Sequence, residues 1–458
     1  MMKKLNRNIK PLPSDEISFT LPDIQQFETD NNLKVILVEK HNLPLLRFNL
    51  VVNTGSRYDP VNKKGLANLF AMTIDEGAGD LNALDLSDEF DLLGSNFDSS
   101  SSNDAVFLSL RFLKENFQRS FDLFCKIIKE PHLYPKDFER EKRKVMIRLL
   151  QRKDDPEEIA EVVFERILFE EENPYSYSAI GNMRDVENIT INDINNYYRN
   201  FFLPNHSALI VVGDITADEL KNTLHSRFKE WRQGDINSIN IPLNGKNKKQ
   251  VYLVNKKDAV QTEIRIGHRI SKRNNGDYFS KSILNMILGG QFSSRINLNL
   301  REDKGYTYGA FSRLNYYADD AFFHVSTSVA AENTFNAITE IIFELNKIRE
   351  GIREDELDFA KSSSIRKFPS NFETNRQIAL NLTSKIIHNL PDDYFNTYLD
   401  KIRDITIDEV NKSALDTIKP EEAVILVVGD KKKLNNQLKD LNLAEIIELD
   451  DEGLPLEN

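Results

Sequence analysis

Two apolar runs punctuate the chain at corresponding places: "ALIVVG" at 208–213 and "AVILVVG" at 423–429, each followed by Asp. Runs this short and β-branched predict strands buried on both faces. The segment "LKVILVEKHNLPLLRFNLVVNTG", Leu33 to Gly55, holds two further β-rich runs around Asn42 to Pro44, which predicts an opening strand pair joined by a turn. Between these strands the apolar positions recur every three or four residues, which predicts helices over Ser120–Lys129, Lys136–Gln151 and Pro156–Glu171.

The pattern repeats. Residues 189–214 align without a gap to 405–430, an offset of 216, placing Pro204 on Pro420 and Gly213-Asp214 on Gly429-Asp430. The same offset carries "VILVEK" at 35–40 onto "VYLVNK" at 251–256. Two separate segments sharing one offset indicate an internal duplication. Strands at the edges of each half with helices between them predict an α+β class: two homologous sandwich domains, each an antiparallel-rich sheet covered by helices, facing each other as a clam shell. The expected layout is an N-terminal extension at 1–20, a first domain at 21–232, a linker at 233–250, a second domain at 251–449 and an acidic tail at 450–458 without order.

Composition narrows the function classes. The chain of 458 residues carries a net charge of −12, which argues against a nucleic-acid or anionic-membrane surface, since either requires a basic face. No apolar run approaches the roughly 20 residues of a membrane span. The N-terminus "MMKKLNRNIKPLPSDE" starts positively but lacks the apolar core of an export signal, so a soluble, cytoplasmic chain is the expectation. The single cysteine, Cys125 in "FDLFCKII", reads as a buried thiol. The Ser99 to Ser102 run reads as a flexible or turn-like segment and carries no nucleophile, because no His and Asp are placed as partners.

The stretch "KGLANLFAMTIDEG", Lys64 to Gly77, follows the first strand pair where a helix is expected. With the duplication, this layout resembles the pitrilysin/insulinase family of zinc peptidases, which includes the mitochondrial processing peptidase; the resemblance covers nearly the whole chain. In active members this helix carries H-x-x-E-H, whose two His at i and i+4 share one helix face and bind zinc while the Glu activates water. Aligned on "GLA", those positions are Asn68, Ala71 and Met72. A later family segment with two Glu seven residues apart falls on "FEREKRKVMIRLL", where Glu141 is kept and the ligand position is Arg148, a guanidinium able to occupy vacated space. The resemblance therefore implies a degenerate metal site and no metal in this chain. Asp75 and Glu76 read as a polar helix end before a Gly77 cap; carboxylates alone suit Mg²⁺ or Ca²⁺ better than zinc.

A second resemblance lies in "LGGQFSSRINLNLREDKGYTYGAFS", Leu288 to Ser312. It is similar to the family's C-terminal signature, in which an Arg and a Tyr face the zinc across the cleft and help hold the peptide and the developing oxyanion. Here they are Arg301, near a helix end, and Tyr308, expected in the strand after Gly305. Gly289 and Gly290 read either as a helix stop or as a loop admitting a peptide backbone. Ser293, Ser294 and Arg295 read as capping and packing residues. The implied function is a non-catalytic subunit of a heterodimeric zinc metallopeptidase, with zinc in an H-x-x-E-H-bearing partner and a peptide as substrate. The alternative is a structural or peptide-binding protein with no part in proteolysis.

Overall fold

The computed structural model describes residues 19–239, 241, 249–273 and 276–456. Most of the expected N-terminal extension, much of the linker and the last two tail residues lie outside these. The first half contributes β1 (Gln25–Glu28), β2 (Lys34–Glu39), β3 (Leu45–Val52), a small hairpin of β4 (Gly77–Ala78) and β5 (Leu81–Asn82), then β6 (Asn96–Ser101), β7 (Val106–Leu113) and β8 (Ser207–Gly213). The second contributes β9 (Gln250–Asn255), β10 (Gln261–Arg269), β11 (Ala310–Tyr316), β12 (Ala321–Ala330), β13 (Val424–Gly429) and β14 (Ile446–Leu449). The α+β class and the duplication both stand: the sheet orders β1-β2-β8-β3-β7-β6 and β14-β9-β13-β10-β12-β11 are the same arrangement.

The opening strands are not a hairpin. β8 enters between β2, parallel to it with Lys34 opposite Ala208, and β3, antiparallel to it with Leu46 opposite Gly213. β13 separates β9 from β10 in the same way. The turn between the two runs was legible, but the most apolar strand takes the centre because only there are both of its faces covered. The halves differ at one outer position, which the start of the chain fills with antiparallel β1 and the end of the chain fills with parallel β14.

What covers the second face explains why the two halves hold together. Leu209 and Val211 of β8 face the first half's own core, whereas Ile210 and Val212 face Ile378, Ala379 and Leu382 of the helix Asn375–Ile387, from the second half. Reciprocally, Val424, Leu426 and Val428 of β13 pack against Ile159, Val163 and Phe164 of the helix Pro156–Leu168, from the first. Each half lends a helix to the other's sheet. A polar seam accompanies the exchange: the Ala318 N–H donates to Asp104 at 3.0 Å, Arg57 pairs with Asp319 at 2.7 Å, and Tyr317 donates to Glu165 at 2.7 Å. The tail, expected to lack order, turns back instead, with the Leu456 N–H donating to Glu448 O at 3.1 Å.

Candidate functional site

The helix Leu66–Thr73 is set by backbone geometry at its start. Gly65 has φ +100°, and a Cβ there would lie 2.7 Å from the Ile180 carbonyl oxygen, so the position needs glycine. Buried Asp59 receives the Gly65 and Ala67 N–H groups at 2.8 and 3.0 Å and caps the turn. The helix packs on the helix Pro135–Arg152 and on edge strand β6.

On this frame none of the three positions matched to metal ligands, Asn68, Met72 and Arg148, carries one, and Ala71 stands where the water-activating Glu would be. Asn68 is half-buried and its amide reaches only the Met72 sulfur, at 3.6 Å; Ala71 is fully buried and Met72 packs against the core. Ser99 donates to the Ala71 carbonyl at 2.6 Å, so Ser99 to Ser101 form strand β6 and not a flexible segment, while the Ser102 hydroxyl caps the turn to Ala105. Arg148 does not fill a vacated space: it is largely exposed and pairs with Glu158 at 2.5 Å. Buried Glu141 accepts from Arg140 and Lys144 at 3.1 and 2.8 Å.

Asp75 and Glu76 do not form a replacement centre. Glu76 pairs with Arg140. Burial, with Glu76, Glu141 and Asp98 nearby, pushes the Asp75 carboxyl up to about 7. Gly77 lies in the β4–β5 hairpin, not at a helix cap. Among the described residues no group of three or more His, Cys, Asp or Glu side chains is placed to hold a metal ion. An amide, a methyl, a thioether and a guanidinium do not fit zinc. Cys125 is buried, and its thiol is pushed up by that burial.

The second half keeps polar chemistry in the open. After the short helix Arg295–Asn297 the chain widens to a π-helical turn, Leu298–Asp303, closed by the Lys304 N–H donating to Asn299 O at 3.0 Å. Such turns are frequent at functional sites. Arg301, on this turn, stacks over Phe292 at 4.2 Å from its ring centroid and pairs with Glu302 at 2.7 Å. Tyr308 precedes β11 instead of lying in it and is 94% exposed; the Thr307 hydroxyl, donating to Ser328 O at 2.8 Å, anchors the loop. Phe292 was missed in the sequence, although an aromatic between a Gly pair and a cation-bearing helix was a legible hint.

Gly289 and Gly290 close the helix Tyr278–Leu288 against β11. Ser312 donates its N–H to Gly289 O at 2.9 Å, and a Cβ on Gly289 would meet the Ser312 hydroxyl at 2.5 Å. Arg295 makes a two-point pair with Glu356 at 2.7 and 2.6 Å, a packing role. Ser294 stands before its helix without a side-chain capping bond.

Residues 34–176 match the model of the insulinase peptidase family, M16, and residues 188–364 match that of the M16 inactive domain. The chain belongs to the M16 peptidase family. It is 24% identical over 403 residues to a Helicobacter pylori protein named non-peptidase homolog YmxG, covering 87% of this chain and 92% of that one. It is also 24% identical over 372 residues to the H. pylori zinc protease PqqE, covering 78% and 82%. The M16 inactive domain from Pseudomonas fluorescens superposes with a TM-score of 0.83 at 22% identity, over 89% of this chain and 98% of that one. The fold is therefore the family's, and this member resembles its inactive homologues. Among the described residues no helix is long and apolar enough to cross a membrane.

Proposed function

We propose that this M16 chain is the non-catalytic subunit of a heterodimeric zinc peptidase, contributing Arg301 and Tyr308 to a site whose zinc is held by a homologous H-x-x-E-H-bearing sister. The observation that carries the reading is the asymmetry between halves: the metal-face positions Asn68, Ala71 and Met72 are half or fully buried and none is a metal-binding side chain, while Tyr308 is 94% exposed with no core to serve and Arg301 is only half-buried. A cation and a phenol donor outside the core are suited to steadying a peptide carbonyl as it gains negative charge. Of the two H. pylori relatives one is named a non-peptidase homolog and the other a zinc protease, so both kinds of chain occur in one organism.

The test is peptide cleavage by this chain, by a zinc-bearing homologue from the same genome, and by the mixture. Turnover rises strongly only in the mixture. In that mixture Arg301→Ala with Tyr308→Phe lowers kcat/KM by roughly 10²-fold or more, as for loss of an oxyanion donor, while gel filtration shows the complex intact. Unchanged turnover in the double variant sinks the donation. Failure of the two chains to associate favours a structural or peptide-binding protein.

A further inference from the structure

Strand β11 is the free edge of the second sheet, and beside it lies a cavity of about 610 Å³ where that edge meets the end of the exchanged helix Asn375–Ile387. Its polar lining includes Arg273, Arg313, Tyr316 and His388, with apolar wall from Met286 and Leu314, and no carboxylate lines it. On a chain of net charge −12 that is a local reversal of sign.

Three lining residues bring buried polar atoms without a partner among the described residues: Arg273 Nε, Tyr316 Oη and His388 Nδ1. Such atoms are costly to leave unpaired, and three of them on residues that line one cavity are a feature to be explained. Arg273 is held rigidly, donating through Nη1 to Ser384 at 2.7 Å and through Nη2 to Tyr394 at 3.2 Å, with its guanidinium 4.6 Å from the Tyr278 ring centroid. Of its three guanidinium nitrogens, Nε alone has no partner among the described residues. Burial and the nearby Arg273 lower His388 to about 4, so it is neutral at pH 7 and adds neither charge nor competition. Asp277, the acid whose field reaches Tyr316, is tied to Lys281 at 2.8 Å. Exposed Arg313 adds a second cation at the rim.

We propose that this cavity binds a carboxylate, with Arg273 Nε–H and Tyr316 Oη–H as its two fixed donors, Arg313 as the charge at the mouth, and Met286 and Leu314 against its hydrocarbon stem. Two donors match the two oxygens of a carboxylate, whereas a phosphoryl group presents three. The carboxylate comes either from a free small organic acid or from an acidic side chain or C-terminus of a peptide lying on the β11 edge. The peptide source rests on the function proposed above; the pocket does not.

The test is calorimetric titration of the full chain alone with three probes: acetyl-Thr-Val-Thr-Val-Leu with a free C-terminus, the same peptide as its C-terminal amide, and glutarate. The free acid binds at least about tenfold more tightly than the amide, and Tyr316→Phe or Arg313→Gln each removes about tenfold of affinity, the scale of a hydrogen bond to a charged group. Tyr316→Phe does not lower the melting temperature, because its hydroxyl has no protein partner to lose, which separates binding from folding. Glutarate binding as tightly as the free-acid peptide, with the same dependence on Tyr316, assigns the pocket to a free acid. Equal affinities for acid and amide, or no binding by any probe, overturn the proposal. No zinc-bearing sister enters the assay, so its failure and that of the heterodimer are read separately.

Discussion

The two halves share one strand order and have treated the same surface in opposite ways. In the first, the face that resembles a metal site has been absorbed into the structure: Ala71 is fully buried, Met72 packs on the core, and Arg148 has turned to Glu158. In the second, Arg301 and Tyr308 remain outside, and a tyrosine 94% exposed contributes almost nothing to packing. Once a ligand set is gone, the positions that held it are governed by packing alone. Positions that stay polar or aromatic in the open, without a core to fill, point to contacts beyond the chain.

The exchanged helices decide whether the halves are independent bodies at all. Phe164 lies on the helix lent to the second sheet and Leu382 on the one lent to the first, each essentially without exposure. Phe164→Ala lowers stability by about 3–5 kcal/mol and Leu382→Ala by about 2–5 kcal/mol. Because the helices are exchanged, the loss is felt on both sides. Trp231, in the first half's core, reports a transition in denaturant that shifts for Phe164→Ala although Phe164 packs on the second sheet. A Trp231 signal that stays in place while circular dichroism splits into two steps would show separable halves.

A smaller effect tests the absorbed metal face. Ala71→Glu places a carboxylate at a position with no exposure, on the helix packed against Pro135–Arg152, and costs about 2–4 kcal/mol for the unpaired buried charge. Met72→His and Asn68→His, at half-buried positions, cost about 1 kcal/mol each. Urea midpoints of the three variants rank them. If Ala71→Glu is tolerated as well as the histidines, the face is still open and the contrast between halves weakens.

Much of this was legible in the residues. The duplication followed from one offset, and the α+β class from strand and helix periodicities. What escaped is non-local. Nothing in "ALIVVG" says that half of its side chains face a helix some 170 residues away. The central place of β8 is likewise invisible, because adjacency in sequence argues for a hairpin and only the burial of both faces overrides it. Arg148 was misplaced because residue type does not give side-chain direction, and Glu158 is a partner from a later helix. Tyr308 was put in a strand because β-rich composition does not mark where pairing begins.

Acidity offers a finer probe of the same contrast. Asp75 beside the metal face and Glu165 in the seam are both pushed up to about 7, chiefly by burial. In each case the folded state holds a proton that the unfolded state has released. The contribution is therefore unpenalised below about pH 4, falls as pH rises to about 7, and is constant above that; the slope is at most about 1.4 kcal/mol per pH unit for one group. Asp75→Asn and Glu165→Gln each flatten the decline between pH 4.5 and 7.5 relative to the parent chain, seen in urea midpoints across that range. A profile parallel to the parent's for Asp75→Asn would mean that its carboxylate is solvated.

The smallest expected effect bears most directly on the exposed side of the comparison. Tyr308→Ala removes a ring that is 94% exposed and ahead of the strand it introduces. The fold loses no packing by it, and the loop stays anchored through Thr307 to Ser328 and Gly309. The stability of the isolated chain therefore changes by no more than about 0.5 kcal/mol, which thermal unfolding in a single buffer resolves against the parent. A large loss would make Tyr308 a packing residue, and the second half would then have been absorbed as fully as the first. No change in the isolated chain, together with a fall in turnover of the mixed complex, places the function of this tyrosine outside the molecule that carries it.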